Sequence, residues 1–283
     1  MSRVAIVTDS ASDLAPETAA ANGIDIVPLV VNFGGQTFKA GVDLSTAEFW
    51  RRMTAPEAPF PTTAASSPGD FKAAYDRCFA EGADAIVSIH VAGTLSGTIK
   101  SAQIARGLVR AGEVHVIDSG SASMGEGLLA LLAATLAKRG TDASEIAAVV
   151  EDRKADLDLY VALDTLDYLK KGGRISGAQA AIGTLLSVKP IITIRDGLVH
   201  TADKPRTRGK ARERVLELLT ARPIERFAVL YTPPADGEAF RREVLERLAG
   251  KLHPDDVSVQ VVGPSVGPHV GPGCVGGVVL YAR

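Results

Sequence analysis

Hydroxyl side chains cluster where chemistry is expected, first in "GTLSGTIKSAQIARG" at residues 93–107. Thr94, Ser96 and Thr98 follow the apolar run "AIVSIH" and precede a helical pattern. Hydroxyls and unpaired backbone N–H groups at a helix start can cradle an anion, helped by the helix dipole. Lys100, the first basic residue, comes only inside the helix, and the Gly-Lys-[Ser/Thr] ending of a nucleotide-binding loop is absent. An anion held here meets hydroxyls and amides rather than charge. The plainer reading, that Ser96 or Thr98 only caps the helix, fits the same residues.

Five further segments offer polar groups. "PFPTTAASSPGDF", residues 59–71, reads as a proline-stiffened connecting loop that could lend Thr62 or Thr63 to the same site, with Ser67 or Asp70 opening the next helix. "DSGSASMGEG" places Ser123 between a strand and a helix, one substitution from a G-x-S-x-G nucleophile elbow, because Ser121 stands where the first glycine belongs. Asp164 or Asp167 and then His269 complete a Ser…Asp…His order, so a serine hydrolase is a competing reading, although a polar helix start explains Ser123 equally. "GPSVGPHVGPGCVGG", residues 263–277, reads as a close-approach loop, neither helix nor strand. Its His269 could donate to a bound anion or act as a base, or be an ordinary bonded or exposed histidine. "LDTLDYLKKGGRIS", residues 163–176, and "KPRTRGKARER", residues 204–214, are basic. Helix-end lysines before Gly-Gly explain most of the first. Arg174 and the second stretch suit either a solvated face or a docking patch for an acidic partner or a phosphate.

Strand-like and helical patterns alternate through the first half: "RVAIVTD", "APETAAANG", "IDIVPLVVNF", "DFKAAYDRCFAEG", "DAIVSIH", a helix near 100–109, "EVHVIDS" and a long apolar helix after Met124. This alternation predicts a parallel sheet with helices on both faces, its ligand outside the carboxyl ends of the strands. "TDSASDL", "GTLSGT" and "DSGSAS" all fall at strand-to-helix turns and converge on that rim. Beyond about residue 150 strands dominate, with helices near 208–221 and 236–251 and an "IRDG" hairpin turn. The division is residues 1–150 for a parallel-sheet α/β domain carrying the hydroxyl loops and 151–283 for a mixed-sheet α/β domain, joined near 141–156.

With 31 basic against 33 acidic residues, a net charge of −2, the chain lacks the basic excess of a nucleic-acid or membrane-surface binder. Cys78 and Cys274 form neither a disulfide framework nor a metal-ligand spacing, which suits a reducing compartment. The opening "MSRVAIVTDS" enters a strand directly, and "GLLALLAATLA" reaches only about half of the roughly 20 residues that span a bilayer. Both point to a cytoplasmic protein.

Taken in order, "IVTDSASDL", "VPLVVNFGGQTFKAGVDLS", "PTTAASSPGDF", "LSGTIKSA", "VIDSGSASMGEG", "LDTLDYLKKGGRISG", "KPIITIRDG" and "HVGPG" resemble the DegV family of bacterial lipid-binding proteins nearly end to end. The resemblance implies an α/β/α parallel-sheet N-terminal domain, a smaller mixed-sheet α/β C-terminal domain and a fatty acid buried between them. It implies a non-catalytic subunit in phospholipid metabolism that presents the carboxylate of a long-chain acid such as palmitate to a separate ATP-dependent fatty acid kinase and carries the acyl phosphate away. A lipid sensor without a kinase partner would use the same pocket. The carry-over assigns the carboxylate to Thr63, Ser96 and His269, with Thr62, Gly97 and Thr98 as a further head-group loop and Arg174 and Arg206 as contacts to the kinase. No cofactor, metal or nucleic acid is implied, nor stable membrane insertion, and at most a transient membrane contact. One departure stands out: the family's Thr-Ser-Gln-Pro loop keeps Thr63 but has Ala64 in place of the serine.

Such a ligand explains the scarcity of charge. At about 0.8 kcal/mol per buried CH₂, a tail of roughly 14 methylenes contributes on the order of 11 kcal/mol before binding costs. A few neutral hydrogen bonds of about 1 kcal/mol each then orient the head group.

Overall fold

The computed structural model describes residues 3–175 and 188–283, so the end of the 163–176 motif, from Ser176 on, lies outside the described residues. The first half is built on a parallel sheet of β1 (Val4–Asp9), β2 (Ile24–Val27), β6 (Ala85–His90) and β7 (Glu113–Asp118), in the order β2-β1-β6-β7. All six residues of β6 are buried, as expected of a central strand covered on both faces. The helices between are α1 (Pro16–Asn22), α3 (Pro68–Ala80), α4 (Thr98–Leu108) and α5 (Met124–Lys138). α3 starts where the sequence places it: the Ser67 hydroxyl accepts from the Asp70 N–H at 3.1 Å, and the Asp70 carboxylate reaches back to Ser67, a capping box.

Two segments depart from the sequence reading. "IDIVPLVVNF" is not one strand, because Pro28 offers no N–H to a ladder. The chain turns there from β2 into β3 (Val30–Phe33), which belongs to a separate antiparallel sheet with β4 (Gln36–Lys39) and β5 (Thr62–Ala64). The expected loop at 59–71 therefore contains a strand, β5, pairing Thr63 with Val31 on β3. This small sheet is backed by α2 (Thr46–Met53), whose Phe49 and Trp50 are buried with Val31 and Phe33.

The second half is a mixed sheet in the order β10-β9-β8-β13-β11-β12. Its strands are β8 (Leu157–Ala162), β9 (Ile191–Arg195), β10 (Leu198–Asp203), β11 (Ile224–Tyr231), β12 (Val257–Val261) and β13 (Val275–Tyr281). Only β11 and β12 pair in parallel. α6 (Ala143–Arg153) packs against α5 and the parallel sheet just before β8 begins. The mixed sheet is covered by α8 (Arg208–Leu219) and α9 (Gly237–Arg247), at the two places where the sequence predicts helices. α7 (Asp167–Lys171) is a short helix closed by Gly172 and Gly173.

α5 joins the halves. It is apolar nearly all round, and Leu128, Leu129, Ala130 and Ala133 are buried in one cluster with Ile6 and Val87 of the parallel sheet and Leu159, Val161 and Leu280 of the mixed sheet. A helix between two sheets needs no polar face, which accounts for the missing amphipathic pattern. A charge at Leu129 would break this contact on both sides.

Residues 262–270 form the second bridge. The Trp50 Nε1–H donates to the Val262 carbonyl at 2.8 Å, and the Gly263 N–H donates to Asp13 Oδ1 at 2.8 Å. The segment predicted as neither helix nor strand holds one helical turn, α10 (Gly267–Val270). Pro268 supplies its fixed φ at the start of that turn. Gly267 permits the approach to α2, since a Cβ there would meet the Phe49 ring.

Candidate functional site

Between the halves lies a cavity, the kind of place between packed units where small-molecule sites occur. Its walls are apolar and come from both halves: Leu29, Val91 and Leu95 on one side, Leu159, Ile192 and Leu230 on the other. Polar groups come from the strand-to-helix turns and from α10. Thr63, Ser96, Gly97, Arg174 and His269 all line this space, gathered from four separate chain segments.

Each is held by its own element. Thr63 sits at the middle of β5, and its Oγ1 lies 3.0 Å from His269 Nε2 on α10. Burial, and then the charge of Arg174, push the His269 imidazole down to about 4, so the ring is neutral at neutral pH. Its Nδ1 is buried with no hydrogen-bond partner and faces Gly172, where a Cβ would collide with it. The Ser96 Oγ lies 2.8 Å from Thr98 Oγ1 and accepts from the Thr98 N–H at 3.2 Å. The N-cap of α4 is Gly97 rather than Ser96 or Thr98; Ser96, one residue before it, braces the turn through the Thr98 N–H and lines the cavity. Of the further head-group loop, Gly97 lines the cavity, Thr62 is exposed, and Thr98 is buried against Ser96.

Arg174 differs from the sequence reading of an uncharged corner. The Gly172–Gly173 turn sends the chain back after α7, Gly173 having φ 71°. Arg174 then reaches the cavity, donating from Nε to the Leu95 carbonyl at 3.0 Å and from Nη1 to the Gly172 carbonyl at 2.6 Å. It has no carboxylate partner among the described residues. Arg206 lies apart on the segment between β10 and α8, exposed and outside the cavity lining.

The Ser…Asp…His order does not assemble. Ser123 donates to Asp13 Oδ2 at 2.5 Å, Asp164 is paired with Lys189 at 2.8 Å and with Arg208, and Asp167 is exposed at the start of α7. His269 serves Thr63 instead. Chain order carries no distance information: α7 and α10 do pack together, yet Ser123 is bonded to Asp13 and His269 to Thr63.

Sequence reasoning missed three buried acids, Asp9, Asp13 and Glu126. Burial pushes the Asp13 carboxyl up to about 7; the Ser123 and Gly263 hydrogen bonds oppose this, and nearby Asp9 adds to it. Beneath the rim, Asp9 Oδ2 lies 3.0 Å from His90 Nδ1, His90 Nε2 lies 2.6 Å from Ser88 Oγ, and Ser88 meets Tyr75 OH at 2.8 Å. Glu126 joins this network through Thr8 at 2.7 Å, and burial, then the neighbouring Asp9, pushes its carboxyl well above the usual carboxylate range. Asp9, His90 and Glu126 are the one group among the described residues close enough to share a metal ion. Asp9 and His90 are already bonded to each other and to their neighbours, whereas Glu126 Oε2 has no partner. The signal was present in "TDSASDL" and "GEG", but which acid goes inward depends on the packing of α5.

A cavity between a parallel-sheet half and a mixed-sheet half, with hydroxyls at the strand ends, defines an α/β ligand-binding protein. The chain belongs to the DegV family: the family described as "Uncharacterised protein, DegV family COG1307" matches residues 3–282. A DegV domain-containing protein of Deinococcus radiodurans is 39% identical over 277 residues, covering 96% of each chain. A DegV-family protein from Thermus thermophilus, solved in a study of its fatty acid binding, superposes with a TM-score of 0.90 at 35% identity, over 99% of this chain and all of that one. A stearic acid-binding protein from Eubacterium ventriosum gives 0.87 at 28% identity, over 99% and 98% of the two chains. Among the described residues no helix is long and apolar enough to cross a membrane.

Proposed function

We propose that this protein binds a long-chain fatty acid in the cavity between its halves and presents the carboxylate to a separate ATP-dependent kinase. The observation that carries this reading is a mainly apolar cavity into which Thr63, Ser96, His269 and Arg174 bring a polar corner. Residues 1–150 supply Thr63 and Ser96, and residues 151–283 supply His269, Arg174 and much of the apolar wall.

The corner suits a carboxylate that must be oriented and then released. With the proton on Nε2, the neutral His269 donates to Thr63 Oγ1 and leaves the Thr63 O–H free for a carboxylate oxygen. Arg174 contributes positive charge, but two backbone carbonyls already share its guanidinium, so it attracts the head group without forming a full bidentate pair. The Ser96 hydroxyl adds a neutral bond. The alkyl tail supplies most of the affinity through the apolar walls. In the transfer, a carboxylate oxygen bonds to the γ-phosphorus of ATP, ADP leaves, and the acyl phosphate departs on this protein. The kinase does the chemistry. Exposed Arg206 and half-buried Arg174 are its contact residues.

Lipid extracted from the protein as purified, read by mass spectrometry, should contain about one long-chain acid per chain. The Arg174→Ala/Arg206→Ala protein should keep that lipid yet lose ATP-dependent acyl phosphate formation with the kinase. An empty wild-type protein that takes up no added acid overturns the lipid reading. Wild-type transfer by the double variant overturns the kinase-contact assignment.

A further inference from the structure

Ser123 is strained in a place where hydrocarbon binding alone gives no reason for strain. It precedes α5 with φ 55° and ψ −142°, a conformation glycine takes freely and a serine takes only when its surroundings hold it there. It is buried and lines the cavity, beside Ala11 and Ala122. What holds it is Asp13: the Ser123 hydroxyl donates to Oδ2 at 2.5 Å, while Oδ1 accepts the Gly263 N–H at 2.8 Å. Asp13 itself has φ 53°. Two positive-φ residues thus bring a hydroxyl to the wall of the apolar cavity, with the Asp13 carboxyl bonded behind it.

A serine that donates its only hydrogen to a carboxyl keeps its oxygen lone pairs as acceptors. The bond to Asp13 makes that oxygen a better acceptor, because linked hydrogen bonds polarise one another. Ser265 lines the same cavity, its Oγ 2.8 Å from Ser10 Oγ. A saturated chain gains nothing from either hydroxyl, and an alanine at 123 would serve it as well.

We propose that the Ser123–Asp13 pair is a second polar subsite, which accepts the hydrogen of a hydroxyl carried along the acyl chain, so that hydroxylated long-chain acids belong to the ligands of this protein. The inference rests on the fatty-acid reading above and adds a determinant of chain chemistry to it. Discrimination follows from the asymmetry of buried polar groups: a hydroxyl at the right depth finds Ser123, and one at any other depth is buried against alkyl walls without a partner.

The test uses delipidated protein and a series of hydroxystearic acids differing in hydroxyl position, with stearic acid as reference, read by calorimetry. Wild type should bind at least one isomer as tightly as stearic acid while rejecting the others. Ser123→Ala and Ser123→Gly should each weaken that isomer about tenfold and leave stearic acid within about twofold. The glycine variant removes the hydroxyl and relieves the backbone, so agreement between the two separates the hydrogen bond from the strain. Rejection of every isomer by wild type overturns the proposal, as does equal weakening of stearic and hydroxystearic acids in the variants. Binding of neither stearic acid nor any hydroxystearic acid overturns the fatty-acid reading as well.

Discussion

Two buried histidines, His90 and His269, mark two polar clusters with opposite designs. His90 ends β6 with both ring nitrogens engaged, Nδ1 by Asp9 at 3.0 Å and Nε2 by Ser88 at 2.6 Å, and Phe71 packs edge-on at 4.8 Å between ring centroids. His269 has one bond, to Thr63, and its Nδ1 is an orphan. With both of its ring nitrogens engaged, His90 ties strand ends together, and removing it leaves Asp9 and Ser88 each short of a buried partner. A half-satisfied corner beside an empty apolar space keeps hydrogen-bonding capacity for a ligand. The difference teaches that the number of unfilled bonds, more than burial or residue type, separates a structural histidine from a binding one.

The largest expected effect tests that contrast directly. His90→Ala should lower the stability of delipidated protein by about 3–5 kcal/mol, because it opens a cavity and strands Asp9 and Ser88. His269→Ala should cost less than about 1.5 kcal/mol of stability while weakening fatty-acid binding about tenfold. Urea denaturation and calorimetry read the two quantities, and equal stability losses would break the comparison.

A middle-sized effect comes from pH. Asp13, raised from 3.8 to about 7, holds its proton more tightly folded than unfolded, so stability falls as pH rises through that interval. His269, lowered from 6.5 to about 4, is protonated more readily unfolded, so stability rises with pH between those values. The Asp13 contribution is on the order of 4 kcal/mol across its window. Asp13→Asn should remove the Asp13 share of the downward slope and leave the contributions of Glu126 and His269, seen as a gain relative to wild type on going from pH 5 to 7.5. A difference between the two proteins that does not change with pH would refute the assignment.

Ser96→Ala should have the smallest effect. Fatty-acid affinity should fall about threefold, and stability by about 0.5–1 kcal/mol, from loss of the acceptor for the Thr98 N–H. A loss as large as that of His269→Ala would make Ser96 the principal head-group contact and sharpen the corner around it.

Much of the molecule was legible before folding was considered. The alternation of strands and helices gives the parallel sheet, and Ser67 three residues before Asp70 gives the start of α3. The three hydroxyl loops do lie at strand ends, and Thr63, Ser96 and His269 line one cavity. What escaped was decided by contacts between distant segments. Pro28 signals a break in the ladder, but it does not say that β3 joins a separate sheet and takes β5 as partner. Ser123 was drawn toward a triad by motif and order, whereas Asp13, 110 positions away, holds it. Arg174 read as a surface charge because nothing local reveals that the turn after α7 folds it back onto Leu95.

The sequence by itself determined the elements and the chemical kind of the site. Periodicity, caps and the placing of hydroxyls after strands are short-range properties, and the absence of Lys and Arg from those loops already argues against a nucleotide or a polyanion. Only the tertiary structure decided which polar groups remain unfilled. Hydrogen-bond satisfaction is a property of pairs brought together across the chain, such as Thr63 with His269 and Asp13 with Ser123. Such pairs exist only once α5 and the 262–270 segment have closed the two halves around the cavity.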